Sequence, residues 1–268
     1  MDSFKKRKPI LALILSLLTP GLGQVYNGQF KKGISYLVGF YLVYLVFSFL
    51  LLTFHGMIFY LIVTMGFFFF IVIGAFRRAN KLKAITLKPF NKWYIYLMIF
   101  LLSNVAVLPL LQWTVRNNIA RAYKIPSSGM APALLVGDRL IADMRSYKSQ
   151  QLQRGDIIIF EFPKDPSKDF IKRVIGMEGE KVEIVKNKIY IDEKLLDDPW
   201  GHFMMPRSSI EDYGPIRVPE GSLFVMGDNR DNSQDSRFWG FVKVEKVRGK
   251  ALYLYWAKNK SRIGMELK

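Results

Sequence analysis

The sequence predicts a multi-pass α-helical membrane domain followed by a mainly-β domain, and three observations predict it. Residues 9–112 are very apolar, whereas 113–268 mix polar and apolar residues as soluble proteins do. Three stretches of the first part are long enough to span a bilayer, which takes roughly 20 apolar residues. After residue 122 apolar residues recur in short runs bounded by turn formers, the mark of strands rather than helices. The expected organisation is a membrane domain over 1–112, a linker over 113–122 and a β domain over 123–268.

The spans are expected at about 34–54, 57–76 and 93–111. A fourth apolar stretch, 10–19, is short and stops at Pro20-Gly21, which points to a re-entrant or interfacial segment. Charge sets the orientation. The loop from Arg77 to Lys92 carries Arg77, Arg78, Lys81, Lys83, Lys88 and Lys92, and basic loops stay cytoplasmic. The span after it then carries the β domain to the extracytoplasmic side, and Lys5-Lys6-Arg7-Lys8 and Lys31-Lys32 fall inside. The expected location is the cytoplasmic (inner) membrane. The stretch after Lys8 has no small-x-small cleavage site, so it does not read as a cleavable signal.

The net charge of +17 does not point to nucleic acid, because much of it flanks apolar spans, where Lys and Arg set topology or meet anionic lipid. There is no Cys, which excludes disulfides, thiol catalysis and Cys-based zinc sites. The two histidines, His55 and His202, lie in no convincing catalytic setting. No metal and no cofactor is implied.

In the second part the expected strands include 139–143, 156–162, 170–175, 181–185, 188–192, 222–226 and 250–256. Lys186-Asn187 reads as a hairpin turn and 197–215 as a polar coiled loop. Three segments carry chemistry. Pro126-Ser127-Ser128-Gly129-Met130-Ala131-Pro132-Ala133-Leu134 comes first and Phe170-Ile171-Lys172-Arg173-Val174-Ile175-Gly176 second. The third is the loop Gly227-Asp228-Asn229-Arg230-Asp231-Asn232-Ser233-Gln234-Asp235-Ser236-Arg237. Alone, that loop is a polar turn. A hydroxyl, however, needs a base to attack, and a lysine serves when burial lowers its pKa from about 10.4 to roughly 7–8. In an alternating strand Lys172 shares an apolar face with Phe170 and Val174, and Arg173 points the other way.

Taken in this order, the segments resemble the type I signal peptidases, membrane-anchored serine proteases with a Ser–Lys dyad. The resemblance implies a largely antiparallel, signal-peptidase-like β fold and cleavage of exported preproteins after small residues. It implies the lipid bilayer and the secretion machinery as further partners. Lys172 matches the base. Ser233 matches the residue that orients it, and Asp235 and Arg237 match charged residues that brace the site. Asp228 is read as a further support, with a scaffold role open, and Met130 as a substrate-contacting residue. The nucleophile motif of the family is similar to Pro-Ser-Gly-Ser-Met-x-Pro-Thr-Leu. Aligned on Pro126, Met130 and Pro132, its serine position falls on Gly129, and Ala133 replaces the Thr. Three readings follow: Ser128 attacks through a shifted backbone, Ser127 attacks although its position matches an oxyanion-hole hydroxyl, or the protein is a pseudoenzyme that binds peptides or regulates export. Separately, Pro20-Gly21-Leu22-Gly23-Gln24 and the residues after it resemble a small membrane module found fused to varied proteins.

Overall fold

The computed structural model describes residues 4–82, 84–145, 152–203 and 212–267. The chain divides into two compact units, Met1–Leu51 with His55–Asn117, and Leu52–Phe54 with Asn118–Lys268.

The first unit is helical. Three helices are long and apolar enough to cross a membrane: Phe30–Leu52, Phe54–Lys81 and Trp93–Asn118. They overrun the spans expected from apolarity, because backbone hydrogen bonding continues into flanking polar turns such as Arg77–Lys81 and Gln112–Asn118. Residues 113–122, expected as a linker, hold the end of the third helix and the first residues of a strand starting at Ala120. Helix α1 (Pro9–Leu18) has 10 residues, about 15 Å of rise, roughly half of a 30 Å hydrocarbon core. A turn at Gly21, whose φ of 88° suits glycine, leads into α2 (Leu22–Tyr26). Polar side chains in this corner are satisfied against backbone: Gln24 Nε2 donates to the Ile71 carbonyl at 2.7 Å and Asn27 Nδ2 to that of Ala75 at 2.8 Å. Short strands β1 (Phe4–Lys5) and β2 (Ile85–Thr86) pair antiparallel.

The second unit is antiparallel throughout its described sheets. Its strands are β3 (Ala120–Lys124), β4 (Arg139–Asp143), β5 (Ile157–Phe162), β6 (Asp165–Gly176), β7 (Lys181–Val185), β8 (Lys188–Ile191), β9 (Lys194–Leu195), β10 (Tyr213–Arg217), β11 (Ser222–Met226), β12 (Val242–Lys243) and β13 (Val247–Trp256). Seven form one sheet in the order β12-β11-β6-β5-β13-β4-β3, and four another in the order β10-β7-β8-β9. Period-two alternation divides β5 between two cores. Ile157 and Ile159 pack with Met130, Leu134 and Leu254, while Ile158 and Phe160 pack with Val174, Val225 and Val247. The expected hairpin turn is present, with φ of 48° at Lys186 and 65° at Asn187. The expected coiled loop ends earlier than read, because Tyr213–Arg217 is the edge strand β10; residues 204–211 of that loop lie outside those described.

Candidate active site

Strand β6 carries Lys172 opposite Ile158 of β5, on the face shared by Phe170 and Val174. The side chain is 6% exposed, and Nζ lies 6.0 Å from the centroid of the Phe170 ring. No hydrogen bond or ion pair reaches it among the described residues. Its pKa is pushed below the ordinary lysine value by burial, against the pull of Asp235 and Asp228. Arg173, one residue on, points to the other side of the strand and is paired. It makes a bidentate pair with Asp228 at 2.8 and 2.7 Å and donates to the Gly155 carbonyl.

The Ser127–Met130 turn lies beside Lys172. A Cβ built on Gly129 would sit 3.2 Å from Lys172 Nζ and 3.4 Å from the Asn232 carbonyl oxygen. Gly129 has no positive φ, so its backbone admits a side chain. Ser128 is turned elsewhere: its Oγ accepts from Asn232 Nδ2 at 3.2 Å, and its carbonyl accepts from Asn229 Nδ2 at 3.2 Å. Ser127 is exposed, and Met130 is 3% exposed within the core. Ser127, Ser128, Gly129, Met130, Lys172 and Ser233 line one groove of about 630 Å³, its remaining wall partly apolar through Tyr123, Phe170 and Ile171.

The 227–237 loop joins these parts. A Cβ at Gly227 would collide with the Gly129 carbonyl oxygen and the Ser233 hydroxyl, so only glycine allows the two segments to meet there. Asp235 accepts from Gly227 N at 3.0 Å and pairs with Arg237 at 2.8 Å through both oxygens. Arg237 in turn donates to the Arg230 carbonyl, and Arg230 pairs with Asp198. Ser233 Oγ is buried beside the groove without a hydrogen-bond partner.

Thus Ser127, Ser128, Gly129, Met130, Lys172 and Ser233 come together at the groove, while Asp228, Asp235 and Arg237 lie behind it. The hydrogen bond expected between the Lys172 amine and Ser233 is not made. Sequence reasoning missed Asn232, which holds Ser128 across 104 positions of chain, and Asp198, which holds Arg230. Neither has a local signal. It left Arg173 without a role, although the pattern that turned Lys172 inward also turned Arg173 to the opposite face.

An antiparallel β domain behind apolar helices, with a buried unpaired lysine opening on a peptide-sized groove, is the architecture of a membrane-anchored serine protease. The family model for signal peptidase, peptidase S26, matches residues 95–256, and the chain belongs to that family. It is 39% identical over 148 residues to the probable signal peptidase I-2 of Synechocystis sp., covering 53% of this chain and 66% of the relative. To the signal peptidase I of Aquifex aeolicus it is 36% identical over 200 residues, covering 53% of this chain and 78% of the relative. A crystal structure of a signal peptidase I from Enterococcus faecalis shares 34% identity at a TM-score of 0.35, over 38% of this chain and 97% of that one. The signal peptidase I family removes signal peptides from exported proteins.

Proposed function

We propose that this chain takes the signal peptides of exported preproteins into the groove beside Lys172 and cleaves them after small residues. The observation that carries this reading is the buried, unpartnered amine of Lys172 facing the Ser127–Met130 turn. Burying an amine without a partner costs stability, and a neutral amine is what a serine needs as its base. In this reading Gly129 occupies the position where the family has its nucleophile and supplies no oxygen. The attacking hydroxyl is that of Ser128, brought from Asn232 to Lys172 by rotation of the backbone at Gly129. It gives its proton to Lys172 as it bonds to the scissile carbonyl carbon, and Ser127 donates to the carbonyl oxygen. The same proton then passes to the departing amine, and water releases the acyl group. With substrate bound, the free hydroxyl of Ser233 turns to hold the amine, Asp228, Asp235 and Arg237 keep the loop in place, and Met130 forms part of the groove floor.

A second reading has its own observation. Gly129, not Ser128, faces Lys172, and the Ser128 hydroxyl is already engaged by Asn232. The chain then binds signal peptides without hydrolysing them and regulates export.

Cleavage of a preprotein by the purified full-length protein separates the two. Turnover by the wild type that Ser128→Ala abolishes supports the first. An inert wild type that Gly129→Ser converts into a peptidase supports the second. Turnover insensitive to Ser127→Ala, Ser128→Ala and Lys172→Ala refutes a Ser–Lys dyad. Both readings place the domain over 123–268 outside the cytoplasmic membrane and the membrane domain over 1–112, opened by the Pro-Gly-Leu-Gly-Gln module, within it. A reporter fused at Tyr123 should read outside and one at Asn80 inside; the reverse pattern removes access to exported preproteins.

A further inference from the structure

The helical unit buries a second cation, one for which the groove has no use. Arg7, just before α1, is 5% exposed, and its Nε and Nη2 are sealed from solvent without a hydrogen-bond partner. Its Cζ lies 4.4 Å from the centroid of the Tyr26 ring. A guanidinium stays charged at any ordinary pH, so burial cannot neutralise it.

Nor does its own unit offer a counter-charge. Residues 1–118 hold thirteen of the 39 Lys and Arg but one of the 22 Asp and Glu, Asp2, which lies outside the described residues. More cations gather at the same end. Lys5 pairs with Ile85 across β1 and β2, and Lys8 N donates to Tyr26 Oη at 3.1 Å. Asn91 Nδ2 donates to the Val25 carbonyl at 2.9 Å and to Tyr96 Oη at 3.1 Å, while its Oδ1 accepts from Lys88 N at 3.2 Å. Lys5, Lys8 and Lys88 are exposed, and the bonds just given place them on segments at the same end of the unit as Arg7. The anion they call for comes from outside the described residues of this unit.

What that anion is follows from the next helix. Beginning two residues after Arg7, α1 exposes Ile10 (68%), Ile14 (45%), Leu17 (47%) and Leu18 (51%). Their spacing puts them on one face. A charged head against Arg7 continued by an apolar tail along this stripe is the outline of an amphiphile, and a guanidinium fork matches phosphate oxygens. We propose that this corner of the membrane unit is a binding site for one anionic phospholipid, its phosphate held by Arg7 within the Lys5, Lys8 and Lys88 cluster and an acyl chain lying along Ile10, Ile14, Leu17 and Leu18. The site is independent of whether the groove cleaves peptides.

The test is native mass spectrometry and titration of the full-length protein in phosphatidylcholine nanodiscs with added phosphatidylglycerol. The expected result is one saturable phosphatidylglycerol per chain. Arg7→Gln should weaken it about tenfold, roughly 1.4 kcal/mol, Arg7→Lys should fall between, and Arg116→Gln, at the far end of the third long helix, should leave it unchanged. Equal weakening by Arg116→Gln would mean bulk charge attraction and overturn the site. So would undiminished binding to a folded Arg7→Gln protein, or full displacement by an equimolar amount of inorganic phosphate, which would mark a free-anion site. Where Arg7→Gln does not fold, the Lys5→Gln, Lys88→Gln double variant replaces it. A several-fold loss supports the site and no loss overturns it.

Discussion

Lys172 and Arg173 are neighbours on β6, both buried and both cationic, and the two faces of the strand treat them in opposite ways. On one face the guanidinium meets a bidentate carboxylate and a backbone carbonyl. On the other, the amine lies near a ring and a glycine and makes no bond, and the Ser233 hydroxyl lining the same groove makes none either. A buried charge with its partners present belongs to the scaffold. A buried amine left without them gives up its proton more readily, which is what a reagent in the proposed reaction requires. The lesson lies in the partners rather than in the burial, which is alike for the two.

The largest expected effect tests the reagent face. In a Gly129→Ser background that cleaves preprotein, Lys172→Met should lower kcat by about 10²–10⁴-fold, the range that a general base supplies, while circular dichroism shows the fold kept. Retained turnover would make Lys172 as structural as its neighbour. On the scaffold face, Arg173→Leu should destabilise the domain by about 3–5 kcal/mol in denaturant unfolding, because Asp228 is left buried and unpaired. A loss below about 1 kcal/mol would mean that Asp228 finds another donor and the contrast is weaker than drawn.

The third prediction concerns pH. The unfolded chain holds a proton on Lys172 up to about pH 10.4, and the folded chain releases it at a lower pH. Between those values the unfolded state binds more protons, so stability rises with pH across the window. Below the folded pKa both states are protonated and the full penalty of the buried charge applies. Lys172→Met should therefore gain stability over the wild type as pH falls and lose the slope contributed by this group. Peptidase activity in the Gly129→Ser background should rise with pH over the start of the same window. An activity that falls as pH rises there would exclude a neutral lysine base. The smallest effect is expected at Ser233. Its Oγ makes no bond, so Ser233→Ala should change stability by less than about 0.5 kcal/mol. If the hydroxyl grips the amine only when substrate is bound, kcat should fall with little change in KM.

The membrane helices, most strands and the inward turn of Lys172 were legible because each rests on a local pattern: a long apolar run, period-two alternation, or an Asn-containing turn such as Lys186-Asn187. Strand β3 was not read. Its sequence, Ala120-Arg121-Ala122-Tyr123-Lys124, holds two charged residues and no β-branched one and follows closely on a helix, and its strand character comes from pairing with β4. Strand β10 was absorbed into a polar loop for a similar reason, since Gly214 and Pro215 interrupt it at a bulge. At the site, the three motifs named segments that line one groove, but which hydroxyl points where was beyond them. That depends on Asn232 reaching Ser128 and on the close approach of Gly227, Gly129 and Ser233, contacts between segments about a hundred residues apart that leave no periodicity behind.

The lowered pKa of Lys172 has a use beyond peptide chemistry. Lysines on the surface hold their protons up to about pH 10.4 and react slowly with carbonyl electrophiles below it, whereas Lys172 releases its proton at a lower pH and opens on a groove that admits small molecules. A small aldehyde with a hydride donor, at a pH where the other lysines remain ammonium, should therefore mark Lys172 ahead of the rest of the chain. The molecule carries its own site-selective conjugation handle, and a peptide that fills the groove should protect it.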